Sequence, residues 1–72
     1  MNKENLQVTI LIAALEEERW IGHAVSAALA SLSATNLRGE VIVCDGGSCD
    51  ATRRNAARAG AHVIQTEPGR PR

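Results

Sequence analysis

Glu40-Val41-Ile42-Val43-Cys44-Asp45-Gly46-Gly47-Ser48-Cys49-Asp50-Ala51-Thr52 is the stretch that decides the fold. Glu40 to Cys44 is short, apolar and rich in β-branched residues, the pattern of a strand covered on both faces. Asp45-Gly46-Gly47-Ser48 ends it with residues suited to tight turns and to φ > 0. Asp50 is a good N-cap, and the Ala- and Arg-rich run from Ala51 to Ala59 is closed by Gly60 at a C′ position. A buried strand passes through a glycine-bearing loop directly into a helix.

Working outward, Val8-Thr9-Ile10-Leu11-Ile12-Ala13 has the same buried-strand character. Glu16-Glu17-Glu18 then places negative charge where a helix N-terminus favours it, and Ile21, Val25, Ala28, Leu29 and Leu32 recur at helical spacing. Beyond Gly60, Ala61 to Gln65 reads as a third short strand. The expected elements are a strand over about 7–13, a helix over 17–33, a strand over 40–44, a helix over 50–59 and a strand over 61–65. Strands alternating with helices imply an α/β chain, the β-α-β-α-β half of a doubly wound, Rossmann-like parallel sheet. Two right-handed crossovers in one direction place both helices on one face. The other face is then bare although its strands are Val, Ile and Leu, so the chain is expected to be a truncated piece of a larger protein or to associate through that uncovered sheet face.

The composition sets the bounds. Seventy-two residues allow one small domain, 1–72, with a marginal core, and exclude a large multidomain enzyme. Hydrophobic residues at 44% and charged residues at 22% exclude intrinsic disorder, while Trp20 is the sole aromatic, so the core is thin. Lys plus Arg balance Asp plus Glu at eight each, which removes nucleic acid and anionic membrane as the main partner. The balance is uneven along the chain: residues 51–72 carry five arginines against Glu67. That run reads as a solvated helix face and a polar tail. Cys44 and Cys49 fit neither a C-x-x-C redox pattern nor a zinc knuckle, and read as reduced thiols of a cytoplasmic protein, Cys44 buried and Cys49 in a loop. The longest apolar run, Ile10 to Leu15, is far short of a membrane span or a signal peptide.

Ligands of open α/β sheets bind beyond the carboxyl ends of the strands. The first such loop, Ala13 to Glu17, has no glycine, which excludes a G-x-G-x-x-G dinucleotide turn and a Walker A loop. In the second, Asp45 has two readings: an acceptor for a base imide or a ribose hydroxyl, or an Asx-turn carboxylate holding the strand-to-helix corner. The paired glycines admit a ligand close to the backbone. Asp50 reads as the helix cap, His23 and His62 as surface or packing residues, and Asn55 falls on the inner side of its helix, where an apolar residue would pack better. No Cys or His cluster completes a metal site.

These residues carry a resemblance. Val8 to Glu18, then Glu40 to Thr52, then Gly60-Ala61 and Pro68-Gly69-Arg70 resemble the start of a family 2 glycosyltransferase of the A-type fold, whose pattern runs strand, P-A-L-N-E-E, helix, then E-V-I-V-V-D-G-G-S-T-D-x-T. The resemblance implies a nucleotide-sugar-binding half-domain. Asp45, with Gly46 beside it, matches the aspartate that accepts from the base imide, usually of uracil. Glu17 matches the glutamate near ribose and base, the Ala13 and Ala14 backbone forms that side of the pocket, and Arg70 or Arg72 is expected to face the diphosphate. The chain departs from the pattern at Ala13 (Pro), Glu16 (Asn) and Cys49 (Thr). The family's D-x-D metal motif and general base lie C-terminal to anything present. A divalent metal, Mg or Mn, is therefore implied for a complete member, with no cofactor, metal ligand or catalytic residue in this chain.

The expected function is the nucleotide-binding segment of an inverting glycosyltransferase that moves a sugar from a nucleotide-sugar donor, UDP-linked by the resemblance, to an acceptor hydroxyl. The alternative is a non-catalytic remnant or interaction module that buries its bare sheet face against a partner. A nucleic-acid binder has only the C-terminal arginines in its favour and lacks the aromatics that stack bases.

Overall fold

The computed structural model describes residues 6–66. They form β1 (Val8–Ala14), α1 (Ile21–Ala34), β2 (Gly39–Asp45), α2 (Thr52–Ala59) and β3 (His62–Gln65). The strands are parallel and ordered β1-β2-β3, so the expected β-α-β-α-β half of a Rossmann-like sheet is the observed architecture. Register is direct: Val8 pairs Gly39, Ile12 pairs Val43, and Ala14 and Asp45 close the carboxyl edge side by side. Gln65 extends that row on β3.

Both helices lie on one face and pack on each other and on β2. Strand side chains alternate. Val8, Ile10, Ile12 and Ala14 of β1 and Val41 and Val43 of β2 meet Ile21, Val25 and Leu32 of α1 and Ala56 of α2. Val25, Val43 and Ala56 are wholly enclosed. The opposite face carries Thr9, Leu11 and Ala13, then Glu40, Ile42 and Cys44, then His62 and Ile64. No helix among the described residues covers it: Leu11 is 67% and Ile64 48% exposed. Cys44, expected to be buried, is half-buried because it belongs to this open side. No helix among the described residues is long and apolar enough to cross a membrane.

Element ends differ from expectation where side chains compete for backbone groups. Helix α1 starts at Ile21 rather than Glu17, because Glu16 takes a left-handed φ of 54° and the amides of residues 16–18 bond outward to the next loop. Helix α2 starts at Thr52 with Ala51 at the N-cap, so Asp50, expected to be the cap, stands one residue earlier, where its Oδ1 accepts the Thr52 N–H at 2.9 Å in an Asx turn. Gly60 ends α2 in the left-handed region at φ 115°, as its C′ reading requires.

Gly39 opens β2 where β1 and α1 converge. A Cβ there would stand 2.8 Å from the Val8 carbonyl oxygen and 2.8 Å from Leu32 Cδ2. The backbone oxygen is fixed by the ladder, so Gly39→Ala is expected to destabilise the chain by about 1–3 kcal/mol in urea unfolding, the range for an overpacked core. A stability equal to that of the parent chain would place this crossing elsewhere.

Candidate functional site

At the carboxyl edge of the sheet, the β1–α1 and β2–α2 loops are joined by reciprocal hydrogen bonds. The Glu16 N–H donates to Ser48 Oγ at 2.8 Å, and the Ser48 hydroxyl donates to Asp45 Oδ1. The Glu17 N–H donates to Thr52 Oγ1 at 2.8 Å, and the Thr52 hydroxyl donates to Asp50. Bonds also run the other way: the Cys49 N–H donates to Glu16 Oε2, and the Ala51 N–H to Glu18 Oε1 at 3.0 Å. The Asn55 amide, misplaced by apolar periodicity, donates to the Glu18 carbonyl at 3.0 Å.

Asp45 sits beneath this clasp, fully enclosed. Its Oδ2 accepts the Gly47 N–H at 3.0 Å, the Ser48 N–H at 2.8 Å and Arg53 Nη1 at 3.0 Å. The Asx-turn reading is therefore the one the geometry carries. Burial alone would raise the Asp45 carboxyl pKa, but the Ser48 hydroxyl, the Ser48 and Gly47 amides and the Arg53 guanidinium together hold it below its ordinary value. Asp50 is held low chiefly by the Thr52 hydroxyl.

Of the residues singled out from sequence, Ala13, Ala14, Glu17 and Gly46 line one depression of about 390 Å³, with Leu15, Cys44 and Thr66. Ala13 and Cys44 are register partners on the helix-free side, so the depression opens there. The Gly46 N–H donates to the Ala14 carbonyl at 3.0 Å, and Thr66 bonds the Asp45 carbonyl through both its N–H and its hydroxyl. A Cβ on Gly46 would make only ordinary contacts, 3.8 Å or longer, so the fold does not demand glycine there, whereas Gly47 at φ 105° requires it. Glu17 is exposed, and its carboxylate takes no hydrogen bond from the described residues. Asp45 does not line the depression, and Arg70 lies outside the described residues.

Sequence reasoning passed over Ser48, Thr52 and Arg53. The signal was present: a hydroxyl three residues after Asp45 and another two after Asp50 is the spacing of Asx and ST turns. Among the described residues, no group of three His, Cys, Asp or Glu side chains could hold a metal ion. Glu17 lines the depression, while the carboxylates of Glu16, Glu18 and Asp50 accept loop amides. The last three, engaged by those amides, do not fit the divalent cation that the resemblance implies.

No protein-family model matches the chain, and neither does any curated protein. Solved structures do. A mycobacterial protein is 32% identical with a TM-score of 0.71, over 97% of this chain and 24% of that one. The glucosyl-3-phosphoglycerate synthase of M. tuberculosis is 28% identical with a TM-score of 0.69, over 96% of this chain and 26% of the synthase. This chain has a glycosyltransferase-like fold. It spans about a quarter of the length of those two proteins.

Within that glycosyltransferase-like fold, the Asp45 carboxylate ties the strand-to-helix corner together. Asp45→Ala leaves two amides, a hydroxyl and a guanidinium without their acceptor, and is expected to cost about 2–4 kcal/mol by chemical denaturation. The folded carboxyl titrates below the unfolded one, so its contribution is complete above the ordinary value of 3.8 and is lost as pH falls below that value through the folded pKa. Asp45→Asn should flatten this acid limb of the stability profile. An unchanged limb would mean that other carboxyls govern acid unfolding.

Proposed function

We propose that the chain is the donor-binding part of a glycosyltransferase, holding the nucleotide of a nucleotide-sugar whose sugar the whole protein transfers to an acceptor hydroxyl. The observation that carries this is the depression at the carboxyl edge, where Ala13, Ala14, Glu17 and Gly46 meet in a fold shared with a glucosyl-3-phosphoglycerate synthase. The family 2 pattern and an inverting displacement belong to this proposal, as does the cytoplasmic location, which the two free thiols suit.

The chemistry of the depression matches a nucleotide in parts. Glu17, whose carboxylate is bonded by none of the described residues, stands at its rim, suited to accept from a ribose diol through charge-assisted hydrogen bonds. Gly46 leaves space where a side chain would intrude. Thr66 borders the same depression, and Arg70, four residues further along the chain, is proposed to meet the diphosphate. The uridine assignment rested on an Asp45 acceptor, and the enclosed Asp45 carboxylate does not supply one.

A second reading is favoured by Leu11 and Ile64 on the open face, which suit an interaction module that covers this apolar row with a partner. Calorimetric titration with nucleoside diphosphates and nucleotide-sugars separates the two. The donor-binding reading expects Glu17→Gln to weaken binding about tenfold, the value of one charge-assisted bond, with unfolding unchanged because the side chain supports nothing. Gly46→Ala should also weaken binding while folding normally. Parent-like affinity in both variants would move the ligand out of this depression, and absence of binding would leave the interaction module.

A further inference from the structure

Trp20 is the sole aromatic residue of the chain, and 66% of it is exposed. It stands at the N-cap of α1, where its N–H donates to the Glu17 carbonyl and its carbonyl accepts from Ala24, so the backbone beneath the indole is fixed. Trp20 borders a second depression of about 310 Å³, with Glu16, Glu17, Glu18, Arg19 and Asp50. Glu17 borders both this depression and the one at the strand ends. A ligand with its ribose at Glu17 therefore reaches Trp20 at one end and Gly46 and Thr66 at the other.

Charge decides which end goes where. Four carboxylates and the Arg19 guanidinium border the Trp20 side, a net negative surround that disfavours a diphosphate and suits a neutral group. The enclosed Asp45 carboxylate leaves the base without the acceptor that the sequence pattern assigned to it. An exposed indole is the feature nearby that binds a flat neutral ring, and stacking tolerates every base because each has a π-face.

We infer that Trp20 is the base-stacking residue of the site, so that the nucleobase is held by its face rather than read at its edge by Asp45. The inference rests on the nucleotide-sugar reading. Its consequence is tolerance: uridine, adenosine and guanosine diphosphates bind with comparable affinity.

The only tryptophan reports on itself. Its fluorescence is followed while the 72-residue chain is titrated with UDP, ADP and GDP, and the same titrations are run by calorimetry on Trp20→Leu and Trp20→Phe, whose folding circular dichroism confirms. All three nucleotides are expected to quench the indole, with dissociation constants within about tenfold of one another. Trp20→Leu should weaken each by about tenfold, and Trp20→Phe should restore most of the loss, as a stacked ring requires. Binding without quenching, full affinity in Trp20→Leu, or a preference for UDP well above tenfold would overturn the stacking role while leaving the nucleotide reading intact. Neither heat nor quenching with any nucleotide would overturn both.

Discussion

Two side-chain hydroxyls hold the working edge of this chain together. Ser48 and Thr52 each accept an amide from the β1–α1 loop and each donate to an aspartate of their own segment, Asp45 and Asp50. A hydroxyl is the one small group that accepts and donates at once, so it relays a hydrogen bond across two loops without bulk. The late start of α1 follows from this arrangement, because the amides of residues 16–18 are directed at the second loop. The carboxyl edge of the sheet is consequently shaped by polar bonds before any ligand arrives.

That polar clasp matters more because the apolar core is slight. Valines and alanines make up most of its enclosed positions, and the sheet is packed on one face only. Each hydrogen bond contributes only about 0.5–1.5 kcal/mol, but a buried acceptor stripped of its donors, or donors stripped of theirs, costs more than the bond was worth. Asp45 concentrates that asymmetry: one enclosed carboxylate serves two amides, a hydroxyl and a guanidinium. The stability of the corner and the shape of the depression beside it are properties of the same residue, although that residue does not face the depression.

How much of this was legible in the sequence differs by element. The three strands and two helices follow from apolar runs, their 3.6-residue spacing and the glycines that punctuate them, and the bare sheet face follows from crossover handedness alone. The coming together of Ala13, Ala14, Glu17 and Gly46 was legible because strand ends in a parallel sheet share an edge. The role of Asp45 was not. A carboxylate after a strand looks the same in one dimension whether it turns outward to a ligand or inward to Gly47 and Ser48. The start of α1 escaped for a related reason: Glu16, Glu17 and Glu18 look like an acidic first turn until the two hydroxyls and the Asp50 carboxylate that capture their amides are known.

Those three glutamates show how one backbone torsion sorts structure from recognition. The left-handed φ of 54° at Glu16 breaks the regular path, and the carboxylates of Glu16 and Glu18 turn back to the amides of Cys49 and Ala51 while that of Glu17 is engaged by none of the described residues. Asparagine, which the resembling pattern has at this position, tolerates that torsion better than most residues. A glutamate there accepts a strain of about 1 kcal/mol or more and gains a second oxygen-to-amide tie across the loops. The departure from the pattern is thus compensated by the Cys49 N–H, and the torsion that matters, the one leaving Glu17 at the rim of the cleft, is kept.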